Sequence, residues 1–215
     1  MPALIWLAFW LREDKRAPEP KGLIAKTFFL GMLAVILVIP LQKGLENLVP
    51  TLSFSLIILW ALLEESFKFL AGYVGGLHNR EDNEPIDSLV YMITAALGFV
   101  ALENTLFILS PLLGSDFSET VLTGNLRFIG ASLLHTVSSG IVGAFIAFHF
   151  YAPRGKKILT GIFGLIAAIA FHSLFNMLII SHHEGGLLIA LGVVWIGVVG
   201  LLWIFERAKS IAPLP

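Results

Sequence analysis

Six apolar stretches, residues 23–41, 52–74, 89–109, 126–151, 158–180 and 187–205, recur along the chain. Each is close to the roughly 20 residues that a helix needs to cross a bilayer. A seventh, residues 3–11, amounts to about 14 Å of helix, half of a hydrocarbon core, and reads as a short or truncated first span. It has no basic region before it and no small-residue cleavage site after it, so it does not read as a removable signal peptide. Pro18, Pro20, Pro50, Pro85, Pro111, Pro153 and Pro213 lie in or beside the connections, where a missing amide costs nothing, and Pro40 is expected to end the second span. The pattern predicts an all-α, polytopic transmembrane bundle of about seven spans. It is expected to form one integral-membrane domain over residues 1–215, with 52–180 as its core helices.

Composition sharpens this reading. Of the 215 residues 57% are hydrophobic and 13% charged, against roughly 25% charged in soluble domains. Cysteine is absent, which excludes disulfides and thiolate metal sites. The net charge of -1, the lack of a basic patch interleaved with aromatics and the short connections leave no footprint for nucleic acid. The distribution of basic residues is informative. Arg12, Lys15, Arg16 and Lys21, then Arg80, then Arg154, Lys156 and Lys157, then Arg207 and Lys209 follow alternate spans, while the intervening loops hold only Lys43. Basic residues in short loops stay cytoplasmic, so the N-terminus is expected outside and the C-terminus inside.

Ionisable groups also occur at membrane depth, where each costs about 2.5 to 3.5 kcal/mol on the lenient insertion scale and persists mainly where a site needs it. The third stretch carries Glu64, Glu65 and Lys68, and the fourth Glu103 and Asn104. The fifth carries Arg127, His135, Ser138 and Ser139, and the sixth His172, Ser173 and Asn176. Counted from the outer helix ends, Glu64 lies roughly 18 Å deep, Glu103 9 Å, His135 14 Å and His172 12 Å, one polar layer across four helices. Glu64 and Lys68, His135 and Ser139, and His172 and Asn176 are spaced to share helix faces. With Arg127 snorkelling to the outer interface, three carboxylates meet one ammonium, and such a surplus must hold protons, imidazolium or a metal cation.

Plainer roles compete for some of these residues. Glu65 with Lys68 reads as a buried structural ion pair, and His172 with Asn176 as interhelical hydrogen bonding. His78, His149, His182 and His183 read as solvated, and the segment from Arg12 to Lys21 as a solvated loop. Trp6, Trp10 and Trp203 suit interface anchoring, and Gly130, Gly140, Gly143, Gly192, Gly197 and Gly200 close helix approach. No His-Glu-x-x-His, Gly-x-Ser-x-Gly or phosphate-binding glycine loop is present. The residues suit activation of water, with Glu as general base and His, Asn or a cation stabilising an oxyanion.

Four ordered segments resemble the PrsW family of bacterial intramembrane proteases, distant relatives of the type II CAAX prenyl proteases. Glu64-Glu65-Ser66-Phe67-Lys68 is similar to the family's EExxK signature, and Phe99 to Asn104 to its FxxxEN element. The Arg127, His135, Ser139 helix resembles its histidine helix, and His172 to Asn176 its HxxxN element. The resemblance implies hydrolysis of peptide bonds in membrane-anchored substrates, in the best-known member a single-pass anti-sigma factor, at a bacterial inner membrane. It implies Glu64, Glu65, Lys68, Glu103, His135, His172 and Asn176 as site residues. In its metal version Glu103, His135 and His172 would bind a divalent, zinc-like ion and Glu64 would activate water. In its metal-free version Glu64 and one histidine activate water while His172 and Asn176 hold the oxyanion. A proton-coupled transporter and a non-enzymatic membrane assembly subunit are the alternatives from other classes.

Overall fold

The computed structural model describes residues 2–14, 17–49, 52–113, 127–180 and 185–212, and contains no strand among them. Its helices are α1 (Pro2–Trp10), α2 (Lys21–Leu48), α3 (Phe54–Gly72), α4 (Pro85–Leu113), α5 (Ser132–Ala147), α6 (Arg154–Ile180) and α7 (Gly186–Ala208). Single π-helical segments, Tyr73–Leu77 and Arg127–Ala131, extend α3 and precede α5. Local chemistry sets several boundaries. The Ser53 hydroxyl accepts from Leu56 N at 3.4 Å and caps α3. Pro85 occupies the first helical position of α4, where its missing N–H is no loss. Gly185 opens α7 at φ 91°, a left-handed conformation in which a side chain would be strained.

Among the described residues five helical segments, Lys21–Leu48, Pro85–Leu109, Ile129–Ala147, Arg154–Ile180 and Gly186–Ala208, are long and apolar enough to cross a membrane. The helix α3 has 19 residues, long enough to cross, but its Glu64, Glu65 and Lys68 lower its apolar character. Pro40 does not end the second span as expected. The helix continues through it to Leu48, because one lost backbone bond is tolerable in a membrane helix where neighbours compensate. This continuation carries Gln42 onto α2.

Burial orders the helices. In their most apolar windows, 78% of residues are buried in α5 and 56% in α4, but only 22% in α7. The first two therefore form the centre. Phe29 and Ile36 of α2, Ile162 and Phe163 of α6, and Ile196 and Trp203 of α7 remain exposed at the periphery, as lipid-facing side chains do. Where α2 crosses α4, a Cβ on Gly31 would meet the Ala95 carbonyl oxygen and one on Gly98 would meet that of Phe28. Backbones this close admit only glycine at both positions. Gly140, Gly143 and Gly197 also face neighbouring helices, whereas Gly192 and Gly200 have open space and serve no close approach.

Trp10 is not an interface anchor. It is 1% exposed and stacks on Phe205 at 5.3 Å, because α1 packs against the bundle instead of standing apart. The connections after α1, α3 and α5 and the C-terminal tail gather at one end. Lys209 Nζ bonds Glu13 at 2.8 Å, Lys157 lies 3.7 Å from Asp82, and the Tyr91 hydroxyl donates to Glu19. The loops rich in Lys and Arg thus share one end of the bundle, as alternating spans require.

Candidate active site

The polar residues of α3, α4, α5 and α6 meet in the interior. Glu65, 1% exposed, is the hub. Its Oε1 accepts from Lys68 Nζ at 2.5 Å, Ser138 Oγ at 2.8 Å and His172 Nδ1 at 2.7 Å. Its Oε2 accepts from Ser139 Oγ at 3.4 Å. A carboxylate with this many donors is held in a fixed rotamer, and each donor is oriented in return. The adjacent Glu64 has a different environment. Its Oε1 accepts from Gln42 Nε2 at 2.9 Å, while its Oε2 is buried without a hydrogen-bond partner and lies 3.7 Å from His172 Nε2.

The two imidazoles stand edge to face with centroids 5.1 Å apart. Because an ionised Glu65 can only accept, His172 Nδ1 donates to it, and in the neutral ring the Nε2 lone pair then faces Glu64. This carboxylate–histidine arrangement orients a metal-binding imidazole. His135 lies between two partners. Its Nδ1 is 2.7 Å from Lys68 Nζ, and its Nε2 is 3.3 Å from Glu103 Oε2. Glu103 itself is less enclosed, with 15% of its side chain exposed. It borders a small cavity of about 60 Å³ together with Val38, Gln42 and Phe99, room for a few water molecules.

One ligand atom each from Glu64, His135 and His172 lies within 4.8 Å of the others, and all three residues are buried. Two nitrogens and an oxygen suit a zinc-like ion, and the unsatisfied Glu64 Oε2 is the kind of buried atom that a cation would satisfy. The donor set therefore fits the group. Glu103, expected from the family resemblance beside His135 and His172, lies 3.3 Å from His135 Nε2 on the cavity side, and Glu64 stands with the same two histidines.

Of the seven site residues read from the sequence, Glu64, Glu65, Lys68, Glu103, His135 and His172 are joined by these contacts. Asn176, one turn beyond His172, is half-buried and bonds no side chain among the described residues. Asn104 donates to Ser132 Oγ at 3.5 Å. The Arg127 side chain, His182 and His183 lie outside the described residues. Two contributions go beyond the sequence reading: Gln42, which α2 carries past Pro40 to Glu64, and the hydroxyls of Ser138 and Ser139, which both serve Glu65.

Residues 19–204 match the family described as PrsW family intramembrane metalloprotease. The chain is 24% identical over 187 residues to Protease PrsW of Geobacillus kaustophilus, covering 86% of this chain and 79% of that protein. It is 24% identical over 182 residues to Protease PrsW of Shouchella clausii, covering 84% and 80%. Protease PrsW of Oceanobacillus iheyensis is 34% identical over 112 residues, 51% of each chain. No solved structure matches the chain.

Proposed function

The chain belongs to the PrsW family of intramembrane metalloproteases, and from that premise we propose that it cleaves single-pass membrane proteins, anti-sigma factors among them, by carboxylate-activated water. It is a multi-pass membrane enzyme, for which we infer a bacterial inner-membrane location with the N-terminus outside and the C-terminus in the cytoplasm. The gathering of the basic loops at one end supports that orientation. The observation that carries the proposed mechanism is the approach of Glu64, His135 and His172 within 4.8 Å, with Glu103 3.3 Å from His135.

In this reading Glu64, His135 and His172 would hold the zinc-like ion. When bound, it supplies Lewis acidity to the peptide carbonyl and to water. Glu103, beside the cavity, takes the proton of the attacking water and returns it to the leaving amine. Glu65 fixes the His172 ring through Nδ1 and accepts from Lys68 Nζ. Gln42 holds Glu64 in place. Asn176 is assigned to the carbonyl oxygen of the substrate as charge develops there.

One contact favours a second, metal-free reading. If Lys68 is an ammonium, it donates to His135 Nδ1 at 2.7 Å, so Nε2 carries the ring proton towards Glu103 and offers no lone pair. Glu64 and His172 then activate water directly. Metal content and cleavage measured on the purified wild type, Glu64→Gln and Glu103→Gln separate the two. The metal reading expects a stoichiometric zinc ion in the wild type, its retention in Glu103→Gln without cleavage, and its loss in Glu64→Gln. Full cleavage by metal-stripped protein would establish the second reading instead.

A further inference from the structure

A second cluster of carboxylates lies at the opposite end of α4 from Glu103, where the connection between α1 and α2 folds over the start of α4. Asp14, Glu19 and Asp87 each offer an oxygen within 4.8 Å of the others. Asp14 and Asp87 are 4% and 1% exposed. Every member has protein donors on part of its carboxylate. Asp87 Oδ2 accepts from Asn83 N at 2.9 Å and from Glu84 N at 2.7 Å. Glu19 Oε2 accepts from the Tyr91 hydroxyl, and backbone amides of Ala17 and Glu19 serve Asp14. Yet Asp14 Oδ2 and Asp87 Oδ1 are buried with no hydrogen-bond partner. Among the described residues no Lys or Arg pairs with any of the three, since Lys157 pairs with Asp82 and Lys209 with Glu13 and Glu206.

Two buried, unsatisfied carboxylate oxygens in a cluster of three acids are costly unless something positive or protic lies between them. We propose that Asp14, Glu19 and Asp87 form a site for a hard divalent cation, of the magnesium or calcium class, that clips the α1–α2 connection onto α4. An all-oxygen donor set selects such ions over zinc, and it keeps this site chemically distinct from the nitrogen-containing set at His135 and His172. Burial and the proximity of Asp87 push the Asp14 carboxyl up to about 6, the strain that a bound cation relieves. The clip tethers the end of α4 that leads, within one rigid helix, to Glu103.

The test uses the full-length chain in detergent, in a Glu64→Gln background so that the active-site set lacks one ligand. Mn²⁺ serves as the paramagnetic probe. The expected result is one saturable Mn²⁺ site by electron paramagnetic resonance, competed by Mg²⁺ or Ca²⁺, with a rise in thermal midpoint on binding. Asp14→Asn and, independently, Glu19→Gln should each weaken that site by at least roughly tenfold. Asp87→Asn should do the same, and the other two variants carry the test where it does not fold. Absence of a saturable site, or Mn²⁺ binding that none of these substitutions weakens, would overturn the proposal and assign shared protons to the cluster.

Discussion

Neighbouring glutamates in α3 should respond in opposite ways to the same loss of charge. Glu65→Gln leaves the Lys68 ammonium, 0% exposed, without its carboxylate at 2.5 Å, and presents an amide to the His172 Nδ1–H. Breaking a buried ion pair by removing one partner costs about 3 to 5 kcal/mol. That is a large share of the roughly 5 to 15 kcal/mol that holds a native protein, and corresponds to a fall in thermal midpoint of roughly 6 to 20 °C for a chain of this size. Glu64→Gln removes a charge whose Oε2 has no hydrogen-bond partner, and the new amide oxygen still accepts from Gln42. Its cost should be below about 1 kcal/mol, while cleavage falls by on the order of 10²- to 10⁴-fold. The assay is thermal unfolding in detergent after chelation, followed by tryptophan fluorescence, beside cleavage of a single-pass substrate. Chelation keeps loss of a bound ion out of the comparison. Equal midpoints for the two variants, or a larger fall for Glu64→Gln, would refute the assignment of structural weight to Glu65.

Two further perturbations probe the scaffold. Gly31→Ala sets a methyl against the Ala95 carbonyl and should destabilise by about 1 to 3 kcal/mol. Gly44→Ala, on the same helix but in open space, should stabilise by about 0.5 to 1 kcal/mol, and chemical unfolding of both variants checks the contrast. Burial of Asp82, only partly offset by Lys157, raises its carboxyl to about 7. A carboxyl raised in the folded state binds its proton more tightly there than when unfolded. Its stabilising contribution is therefore present near pH 4 and lost as pH rises through 7. Asp82→Asn should consequently gain midpoint relative to the wild type between pH 5 and pH 8, and a difference that is flat across this window would contradict the placement.

Charged residues inside apolar runs made much of the site legible in the sequence, because Glu64, Glu65, Lys68 and Glu103 conflict with their surroundings and only a shared interior resolves the conflict. Helical spacing put Glu64 with Lys68 and His172 with Asn176 on common faces, but it carries no information on how one helix is rotated against the next. That rotation decides that Glu64 stands with both histidines, that Glu103 meets His135, and that Ser138 reaches Glu65. Gln42 was hidden by a local rule, since Pro40 signals a stop that tertiary packing overrides. Trp10, and Asp14 in a connection read as solvated, are buried by long-range contacts with α7 and α4, contacts to which hydropathy along the chain is blind.

The central claim is that groups from α3, α4, α5 and α6 operate as one bond-cleaving unit. Purified protein in proteoliposomes, given a single-pass membrane substrate, tests it through Glu64→Gln, Glu103→Gln, His135→Gln and His172→Gln, singly and in pairs. Residues that act as a unit are non-additive, so each single variant should fall to a common residual rate and each pair should lose nothing more. Losses that multiply in the pairs, or any single variant that cleaves at the wild-type rate, would contradict the account.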